Sequence, residues 1–316
     1  MELLHPGDTA AALLVALLAD ALWGEPAWLY RRLPHPAVAI GRGITLLEGL
    51  LYPSARTRRR AMGIVLALTV TGAALLLGLV LAGALARVPA GWLLEGLAMS
   101  TLLAQRSLID HVRTVAVGMR RGLAAGRLAV SRIVGRDPDR LDEAGVGRAA
   151  LESLAENLSD GVVAPLFWGA VAGLPGMLAY KALNTLDSMV GHRDERYREF
   201  GWASARLDDL ANLIPARLTG LLLCLVGGRP RHAFRAMPGD ARRHRSPNAG
   251  WPEAAMAAAL GVRLAGPRVY GGRMVEDAWM GDGTAEVGPE AIERGIDLSW
   301  RVWWLLVAGV TALLLR

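Results

Sequence analysis

Long apolar stretches separated by polar and turn-forming residues dominate the pattern of this chain. Four of them are candidates for membrane helices by length and apolarity, and they cover residues 9–23, 61–86, 92–104 and 300–315. The stretch at 61–86 is the clearest, because an apolar run of this length can cross a bilayer with some tilt. The Pro- and Gly-containing turn at 87–91 predicts a helical hairpin between the second and third stretches.

The remaining chain is amphipathic or interrupted. Residues 105–160 are rich in Arg and have apolar positions at helical spacing, which predicts cytoplasmic helices that lie on the membrane or on a helical bundle. Residues 161–227 are apolar but broken by Pro and Gly, most clearly at 173–176, and predict short broken or re-entrant helices. Residues 229–298 are expected to form a cytoplasmic loop region, with a basic loop at 229–245.

The composition agrees with a membrane protein. Hydrophobic residues make up 53% of the chain and charged residues 20%, and the mean hydropathy is +0.31, which is too apolar for an ordinary soluble domain. The sequence therefore predicts an all-α polytopic integral membrane protein, a single domain over residues 1–316. It is expected to have about four to five transmembrane helices, shorter re-entrant helices and a cytoplasmic helical region.

The net charge of +6 fits membrane topology better than nucleic-acid binding. Arg residues flank the apolar stretches, as the positive-inside rule expects, and no DNA- or RNA-binding motif accompanies them. Arg56 and residues 58–60 precede the stretch at 61–86, so this end is predicted to be cytoplasmic. The expected surroundings are therefore a lipid bilayer, and nucleic acid is not an expected partner.

Lysine occurs once in the chain, at Lys181, and all the other residues in the Lys and Arg total are Arg. A chain that uses Arg almost everywhere else indicates that this position needs a compact ammonium group. Such a point charge suits a phosphate or carboxylate, whereas the Arg guanidinium is a planar fork.

Carboxylates and amides are concentrated around this lysine in a mildly apolar part of the chain. Glu152, Glu156 and Asp160 recur at i, i+4 and i+8, so a helix would place them on one face. An Asp at the centre of a membrane helix costs about 2.5–3.5 kcal/mol, and several acids together also repel one another. Because Mg²⁺ prefers oxygen ligands, usually alongside substrate phosphates, the acids predict a magnesium and phosphate site.

Six longer segments occur in a consistent order, which is far more specific than any short pattern. They are DALWGEP, LPHPAVAIG, RSLIDHV, IVGRDPDRLDEAGVGRAALESLAENLSDGVVAPLFW, YKALNTLDSMVGHRDERYREFGWASARLDDLANLIPARLTG and SPNAGWPEAAMAAALGV. In them the chain resembles the adenosylcobinamide-phosphate synthase family of cobalamin biosynthesis (the CobD/CbiB type), over nearly its whole length. One departure is His192, where an aromatic residue, usually Tyr, is expected.

The resemblance implies a multi-pass enzyme of the bacterial inner membrane with its active site facing the cytoplasm. Such an enzyme joins adenosylcobyric acid to (R)-1-amino-2-propanol O-phosphate and gives adenosylcobinamide phosphate. ATP and Mg²⁺ drive the amide bond, most simply through an acyl phosphate. Other membrane enzymes of the cobalamin pathway are further candidates for partners.

Residue roles follow from this reaction as hypotheses. Lys181 would neutralise charge on the transferring phosphoryl group, while Asp208 and Asp209 would bind a second Mg²⁺ or accept a proton from the attacking ammonium. With Asp187 these residues form the candidate catalytic set. The expected Mg²⁺ ligands are Glu152, Glu156, Asp160 and Asp187. The expected ATP-binding residues are Asn157, Asn184, Ser188, Arg193 and Arg196. The expected substrate-binding residues are His35, Arg206, Arg217, Arg242, Arg243, His244 and Asn248.

Several alternatives stay open at this point. Each Arg taken singly is more often a topology charge than a ligand, and His35 could be a loop histidine with satisfied hydrogen bonds. For the whole chain, the pairs Asn184–Asp187 and Asp208–Asn212 superficially resemble the Asp-rich Mg²⁺-diphosphate motifs of intramembrane prenyltransferases. A non-catalytic membrane partner or transporter of the corrinoid pathway is the third reading.

Overall fold

Helices form most of the protein in the computed structural model, which describes residues 6–134, 138–270, 273–275 and 277–315. The helices are α1 Pro6–Trp23, α2 Ala27–Tyr30, α3 Pro36–Leu51, α4 Arg59–Leu85, α5 Gly91–Ser100, α6 Gln105–Arg121, α7 Leu123–Val130, α8 Glu143–Leu158, α9 Ala164–Val190, α10 Tyr197–Phe200, α11 Trp202–Ala211, α12 Leu213–Val226, α13 Pro230–Ala241, α14 Gly250–Leu260 and α15 Pro289–Leu314. Short 3₁₀ turns occupy Arg56–Arg58 and Pro138–Arg140, and a π-helical turn occupies Ser159–Val163.

Four short strands complete the described elements. They are β1 Leu264–Ala265, β2 Arg268–Tyr270, β3 Arg273–Val275 and β4 Trp279–Met280. β1 pairs antiparallel with β4, and β2 pairs antiparallel with β3.

Three stretches of the described chain are long and apolar enough to cross a membrane: Arg56–Leu85, Glu143–Val190 and Pro289–Leu314. A fourth is reached if the bent pair α11 and α12 counts as one span. The all-α polytopic membrane fold is therefore confirmed, and α4 and the second half of α15 occupy the predicted stretches 61–86 and 300–315. The predicted sides of the membrane and the single-domain division stay predictions.

The predicted helix at 92–104 is shorter than expected. α5 has ten residues, so it extends about 15 Å, half of a hydrocarbon core of roughly 30 Å. It packs along α1, and the approach is close because a Cβ at Gly96 would lie 2.5 Å from the carbonyl oxygen of Ala12.

The chain divides into two compact units. The first consists of Met1–Ala104, Ala164–Asn212 and Val307–Arg316, and the second of Gln105–Val163 and Leu213–Leu306. As a result, the predicted site residues fall into two groups. Those of α9 and α11 belong to the first unit, and those of α8, α12 and the segment before α14 belong to the second.

α4 and α9 pack antiparallel in the first unit. A Cβ at Gly78 would lie 2.5 Å from Cα of Pro175, and a Cβ at Gly63 would overlap the carbonyl oxygen of Phe200. The Arg-rich start of α4 therefore lies beside the chain that follows α9. Arg59 Nη1 also donates to the carbonyl oxygen of Glu195 at 3.5 Å.

A break in α9 separates an apolar segment from the segment that carries the polar residues. Ala172 (φ −141°, ψ 20°) and Gly173 (φ 62°, ψ −156°) leave the helical conformation, which confirms the break predicted at 173–176. Glycine tolerates the positive φ, and Pro175 fits the first turn of the resumed helix because it has no N–H to leave unpaired there.

α8 forms the centre of the second unit, where it packs against α6, α7, α14 and β1. Its Val146, Leu151 and Leu154 are fully buried. A π-helical turn at Ser159–Val163 follows α8 and carries Asp160. The predicted single row of Glu152, Glu156 and Asp160 stays a prediction.

The basic segment at 229–245 was expected to be a loop, but residues 230–241 form α13. The reason is a stripe of Ala233, Met237 and Ala241 at i, i+4 and i+8, all buried. Burying this stripe against α12 and α14 stabilises the helix in spite of its charge.

Candidate active site

The resumed part of α9 presents a polar stripe to one side. Lys181, Asn184 and Ser188 share this stripe by helical spacing, and Asp187 lies one position away. Lys181, Asn184 and Asp187 are half-buried, whereas Ser188 is exposed. The Ser188 hydroxyl donates to the carbonyl oxygen of Asn184 at 3.0 Å, and its predicted role at ATP stays a prediction.

α11 packs against α9 and brings a buried carboxylate to this stripe. Asp208 is 8% exposed. Its Oδ2 accepts from Asn212 Nδ2 at 3.0 Å, and its Oδ1 lies 3.5 Å from Asn184 Nδ2. Residues from two helices that are separated in sequence thus meet at one place, as expected from their chemistry.

Three carboxylates interact through their charges at this place. Asp187 acts electrostatically on Asp208 and is itself affected by Asp209. Asp209 Oδ2 accepts from Arg206 Nη1 at 3.2 Å, so Arg206 partly neutralises this acid. The predicted role of Arg206 in substrate binding stays a prediction. Arg193 also acts on Asp209 through its charge.

The donor set of the first unit suits a hard cation. Within the described ranges, no three His, Cys, Asp or Glu side chains are grouped tightly enough to hold a metal ion by themselves. Mg²⁺, however, usually takes one or two carboxylates and completes its shell with water and substrate phosphates. Asp187 and Asp208, with the Asn184 amide beside Asp208, fit that requirement.

His35 begins α3 and lies near Lys181. Its Nδ1 accepts from Ala37 N at 3.2 Å as the N-cap of the helix, and its ring contacts Tyr30 at a centroid distance of 4.7 Å. Burial lowers the pKa of the imidazole below its ordinary value; Glu25 opposes this shift and Lys181 adds to it. Of the two readings left open by sequence, the satisfied loop histidine is the one that the hydrogen bonds support.

Arg196 anchors the segment that follows α9. Its Nη2 lies 2.7 Å from Glu48 Oε1, and Tyr197 OH donates to the same oxygen at 2.9 Å. Glu48 is 8% exposed on α3. This bond gives Arg196 a structural partner, and its predicted role at ATP phosphates stays a prediction.

In the second unit, the carboxylates of α8 have unlike surroundings. Glu152 is 6% exposed, and its Oε1 accepts from the backbone N–H of Ala265 in β1 at 2.9 Å. Glu156 is exposed and Asp160 half-buried, while Asn157 Nδ2 donates to Ser153 O at 2.9 Å. The predicted Mg²⁺ ligands are thus divided between two units, and Glu152 has a structural partner that sequence spacing did not indicate.

The segment before α14 gathers three predicted substrate-binding residues. Arg217 stacks on Trp251 at 4.7 Å and its Nη1 lies 3.4 Å from Asn248 Oδ1. The Ser246 hydroxyl accepts from Asn248 N and Ala249 N at 3.2 Å each. The ring of His244, the third, is held by its Nδ1, which accepts from Ser246 N at 3.0 Å.

Two further arginines predicted to bind substrate take no part in these contacts. Arg242 and Arg243 are exposed, and Arg243 Nη1 lies 3.5 Å from Asp240 Oδ1.

Four buried polar residues are prominent in the structure but absent from the predicted site residues. Tyr180, Glu48 and Glu253 are buried, and Glu253 Oε1 lies 3.7 Å from His244 Nε2. Asn212 was named only through its pair with Asp208, in the superficial resemblance to prenyltransferase motifs. The available signal was a polar residue inside an otherwise apolar helical run, which is clearest for Glu253 in WPEAAMAAAL.

Comparison with known proteins identifies the family. The family model described as CobD/Cbib protein matches residues 13–299. The chain belongs to the CobD/CbiB family. As a member of this family it has a role in cobalamin biosynthesis.

Relatives in this CobD/CbiB family share about half of their residues with the chain. A protein of Rhodobacter capsulatus, named cobalamin biosynthesis protein CobD, is 51% identical over 311 residues, covering 96% of this chain and 98% of the relative. Proteins of the same name from Rhizobium meliloti and Brucella suis are 53% identical (91% of each chain) and 49% identical (96% and 95%). No solved structure matches the chain.

Proposed function

We propose that this protein is an ATP- and Mg²⁺-dependent amide ligase of cobalamin biosynthesis. Its substrates are adenosylcobyric acid and (R)-1-amino-2-propanol O-phosphate, and its product is adenosylcobinamide phosphate. The observation that carries the proposal is the meeting of Asn184 and Asp187 on α9 with the buried Asp208 on α11, on the helix stripe that also carries Lys181. Membership of the CobD/CbiB family supports the pathway.

The proposed reaction has two steps. A carboxylate oxygen of adenosylcobyric acid attacks the γ-phosphorus of ATP, which gives an acyl phosphate and releases ADP. The amine, after its ammonium loses a proton, attacks the acyl carbon, and phosphate leaves with the electrons of the broken C–O bond. The net change is one amide bond for one ATP hydrolysed to ADP and phosphate.

The residues of the first unit suit the phosphoryl transfer. Asp187 and Asp208 would hold Mg²⁺, which supplies neutralisation of phosphate charge. Lys181 places a compact ammonium against the transferring phosphoryl group, where charge neutralisation and positioning provide most of the rate. Asp209 is held by Arg206 and is the remaining candidate to accept the proton of the attacking ammonium.

The second unit offers groups that suit the phosphate of the amine substrate. Arg217 is held over Trp251 by stacking and by its bond to the carbonyl oxygen of Leu213 at 2.7 Å. A guanidinium fixed in this way is well suited to phosphate oxygens. We therefore assign the aminopropanol phosphate to Arg217, His244 and Asn248.

We also propose that the α9 site faces the cytoplasm in the bacterial inner membrane. Glu195 lies shortly after Asp187 in the sequence, beyond the end of α9. It contacts Arg56 and Arg59 at the Arg-rich end of α4. The positive-inside rule favours the cytoplasm for that end.

Ligation by the detergent-purified full chain tests the proposal. The protein receives adenosylcobyric acid, aminopropanol phosphate and Mg²⁺, with or without ATP, and mass spectrometry follows the products. We expect the amide only with ATP, together with one ADP for each amide formed. Folded protein that forms no amide would overturn the ligase, and prenyl transfer from added prenyl diphosphates or ATP-independent substrate flux would identify the alternative.

The centre itself is tested by Lys181→Ala and Asp187→Asn in the same assay. Removal of a group that stabilises developing charge lowers the rate by roughly 10²–10³-fold. Near-complete ligation by both variants would show that the centre lies elsewhere, even if the reaction is correct.

A further inference from the structure

We propose that Asn212 and Tyr180 are positioning residues that fix the Asp208 carboxylate for cation binding. The inference rests on the proposed function, since it takes the Asp187–Asp208 pair as the cation site. Neither Asn212 nor Tyr180 needs to touch the cation; each acts through Asp208.

A chain of two hydrogen bonds connects the three side chains. Tyr180 OH donates to Asn212 Oδ1 at 2.9 Å, and Asn212 Nδ2 donates to Asp208 Oδ2 at 3.0 Å. Tyr180 lies on α9, Asp208 on α11, and Asn212 directly follows α11. The two hydrogen bonds therefore connect the Asp208 carboxylate of α11 to α9 through Asn212 at the end of α11.

Burial makes the loss of either hydrogen bond costly. Tyr180 is 3% exposed, Asn212 1% and Asp208 8%, so water cannot easily replace a lost partner. An unsatisfied buried polar group costs about 1–3 kcal/mol, which holds the side chains in the bonded arrangement.

The Asp208 carboxylate determines which group donates in each of the two hydrogen bonds. An ionised Asp208 only accepts hydrogen bonds, so Asn212 must present its NH₂ group to it and its carbonyl oxygen to Tyr180. Tyr180 must then donate. Removing the Tyr180 hydroxyl would leave Asn212 Oδ1 buried without this donor. The Tyr180 hydrogen bond would then no longer favour the amide orientation that points the Asn212 NH₂ group at Asp208.

As a consequence, the two carboxylate oxygens of Asp208 differ in their hydrogen bonding. Oδ2 is occupied by Asn212, whereas Oδ1 has a long contact of 3.5 Å to Asn184, which is a weak hydrogen bond. Oδ1 thus keeps acceptor capacity on the side of the α9 stripe. Outer groups of this kind orient the carboxylates that bind metals.

Mn²⁺ binding tests the positioning role without relying on turnover. Mn²⁺ accepts the same hard oxygen ligands as Mg²⁺, and its free concentration is read by electron paramagnetic resonance. The full-length protein in detergent is titrated as wild type, Tyr180→Phe, Asn212→Ala and the double variant. Loss of an orienting partner weakens metal binding by roughly 10–100-fold, and the double variant should be no weaker than Asn212→Ala because the bonds form one chain.

Tyr197→Phe is the matched control. It also removes a phenol that donates at 2.9 Å to a buried carboxylate of the first unit, that of Glu48, but it leaves Asp208 untouched. We expect its Mn²⁺ affinity to equal that of the wild type. Equal affinities of Tyr180→Phe, Tyr197→Phe and wild type would overturn the positioning role, as would wild-type protein that binds no Mn²⁺.

The second variant and the ligation assay separate the remaining outcomes. If Tyr180→Phe does not fold, Asn212→Ala decides: unchanged Mn²⁺ affinity overturns the proposal and weakened affinity supports it. Wild-type protein that binds Mn²⁺ but forms no amide would refute the proposed reaction, while the difference between Tyr180→Phe and Tyr197→Phe would still decide the positioning role.

Discussion

Lys181 allows a requirement for an ammonium to be distinguished from a requirement for positive charge. Lys181→Arg keeps the charge but replaces a point donor with a planar fork on a half-buried stripe. We expect the rate of ligation to fall by roughly 10²–10³-fold, as for loss of a charge-stabilising group, with an unchanged melting temperature. The reverse exchange Arg87→Lys, at an exposed position, is the control and should keep full activity.

His35 gives a prediction about pH and stability. Its neutral Nδ1 accepts from Ala37 N, and burial lowers its pKa below the ordinary 6.5, so the unfolded chain takes up a proton at higher pH than the folded one. The stability that comes from neutral His35 is therefore complete above about pH 6.5 and is lost as the pH falls toward the lower, folded pKa.

The measurement is the melting temperature in detergent at pH 7.5 and pH 5.5. His35→Asn keeps an N-cap acceptor but does not titrate, so it should lose less stability over this range than the wild type. His111→Asn, at an exposed histidine of the second unit, should behave as the wild type. If His35→Asn and wild type lose the same amount, the cap is not the pH-sensitive group.

Residue types predicted the chemistry of the α9 and α11 site, but not the partners of single side chains. Glu152 binds an N–H 113 positions away and Arg196 a carboxylate 148 positions away. Such contacts depend on how helices pack, and nothing in local spacing encodes them. The acids of α9 and α11 could be grouped because several carboxylates in an apolar setting predicted a common cation.

At the scale of elements, the close approach of α4 and α9 gives the next prediction. Gly78→Ala places a Cβ 2.5 Å from Cα of Pro175, and this contact is with backbone that cannot move aside easily. Overpacking of this kind costs about 1–3 kcal/mol, so the melting temperature should fall. Gly72→Ala lies on the same helix in open space and should not lower it. Equal melting temperatures would mean that α4 and α9 are farther apart than the structure places them.

Elements were predictable where one strong signal acted alone. The apolar run of α4 and the Gly–Pro break of α9 both follow from local chemistry. The π-helical turn at Ser159–Val163 does not follow from local chemistry, because it is a short local change in helix geometry. Helix α13 does not either, because it is stabilised by burial of an apolar stripe that lies among charged residues.

For the whole molecule, the arrangement of charges around α4 makes the sidedness of the site testable. Ser54 precedes the Arg-rich end, and Val88 follows Leu85 at the other end; both are exposed. The native Cys224 is buried, so it gives little background in thiol labelling. Ser54→Cys and Val88→Cys therefore place one accessible thiol at each end of the same helix.

In intact cells, Val88→Cys should react with a membrane-impermeant maleimide, whereas Ser54→Cys should react only after permeabilisation. The reason is that four Arg residues flank α4 on the Ser54 side and one on the Val88 side, and such charges stay in the cytoplasm. Because Glu195 contacts that same Arg-rich end, the result also assigns a side to the chain that follows Asp187. Labelling of Ser54→Cys from outside would place the site away from cytoplasmic ATP, and the ligase would then lack its co-substrate.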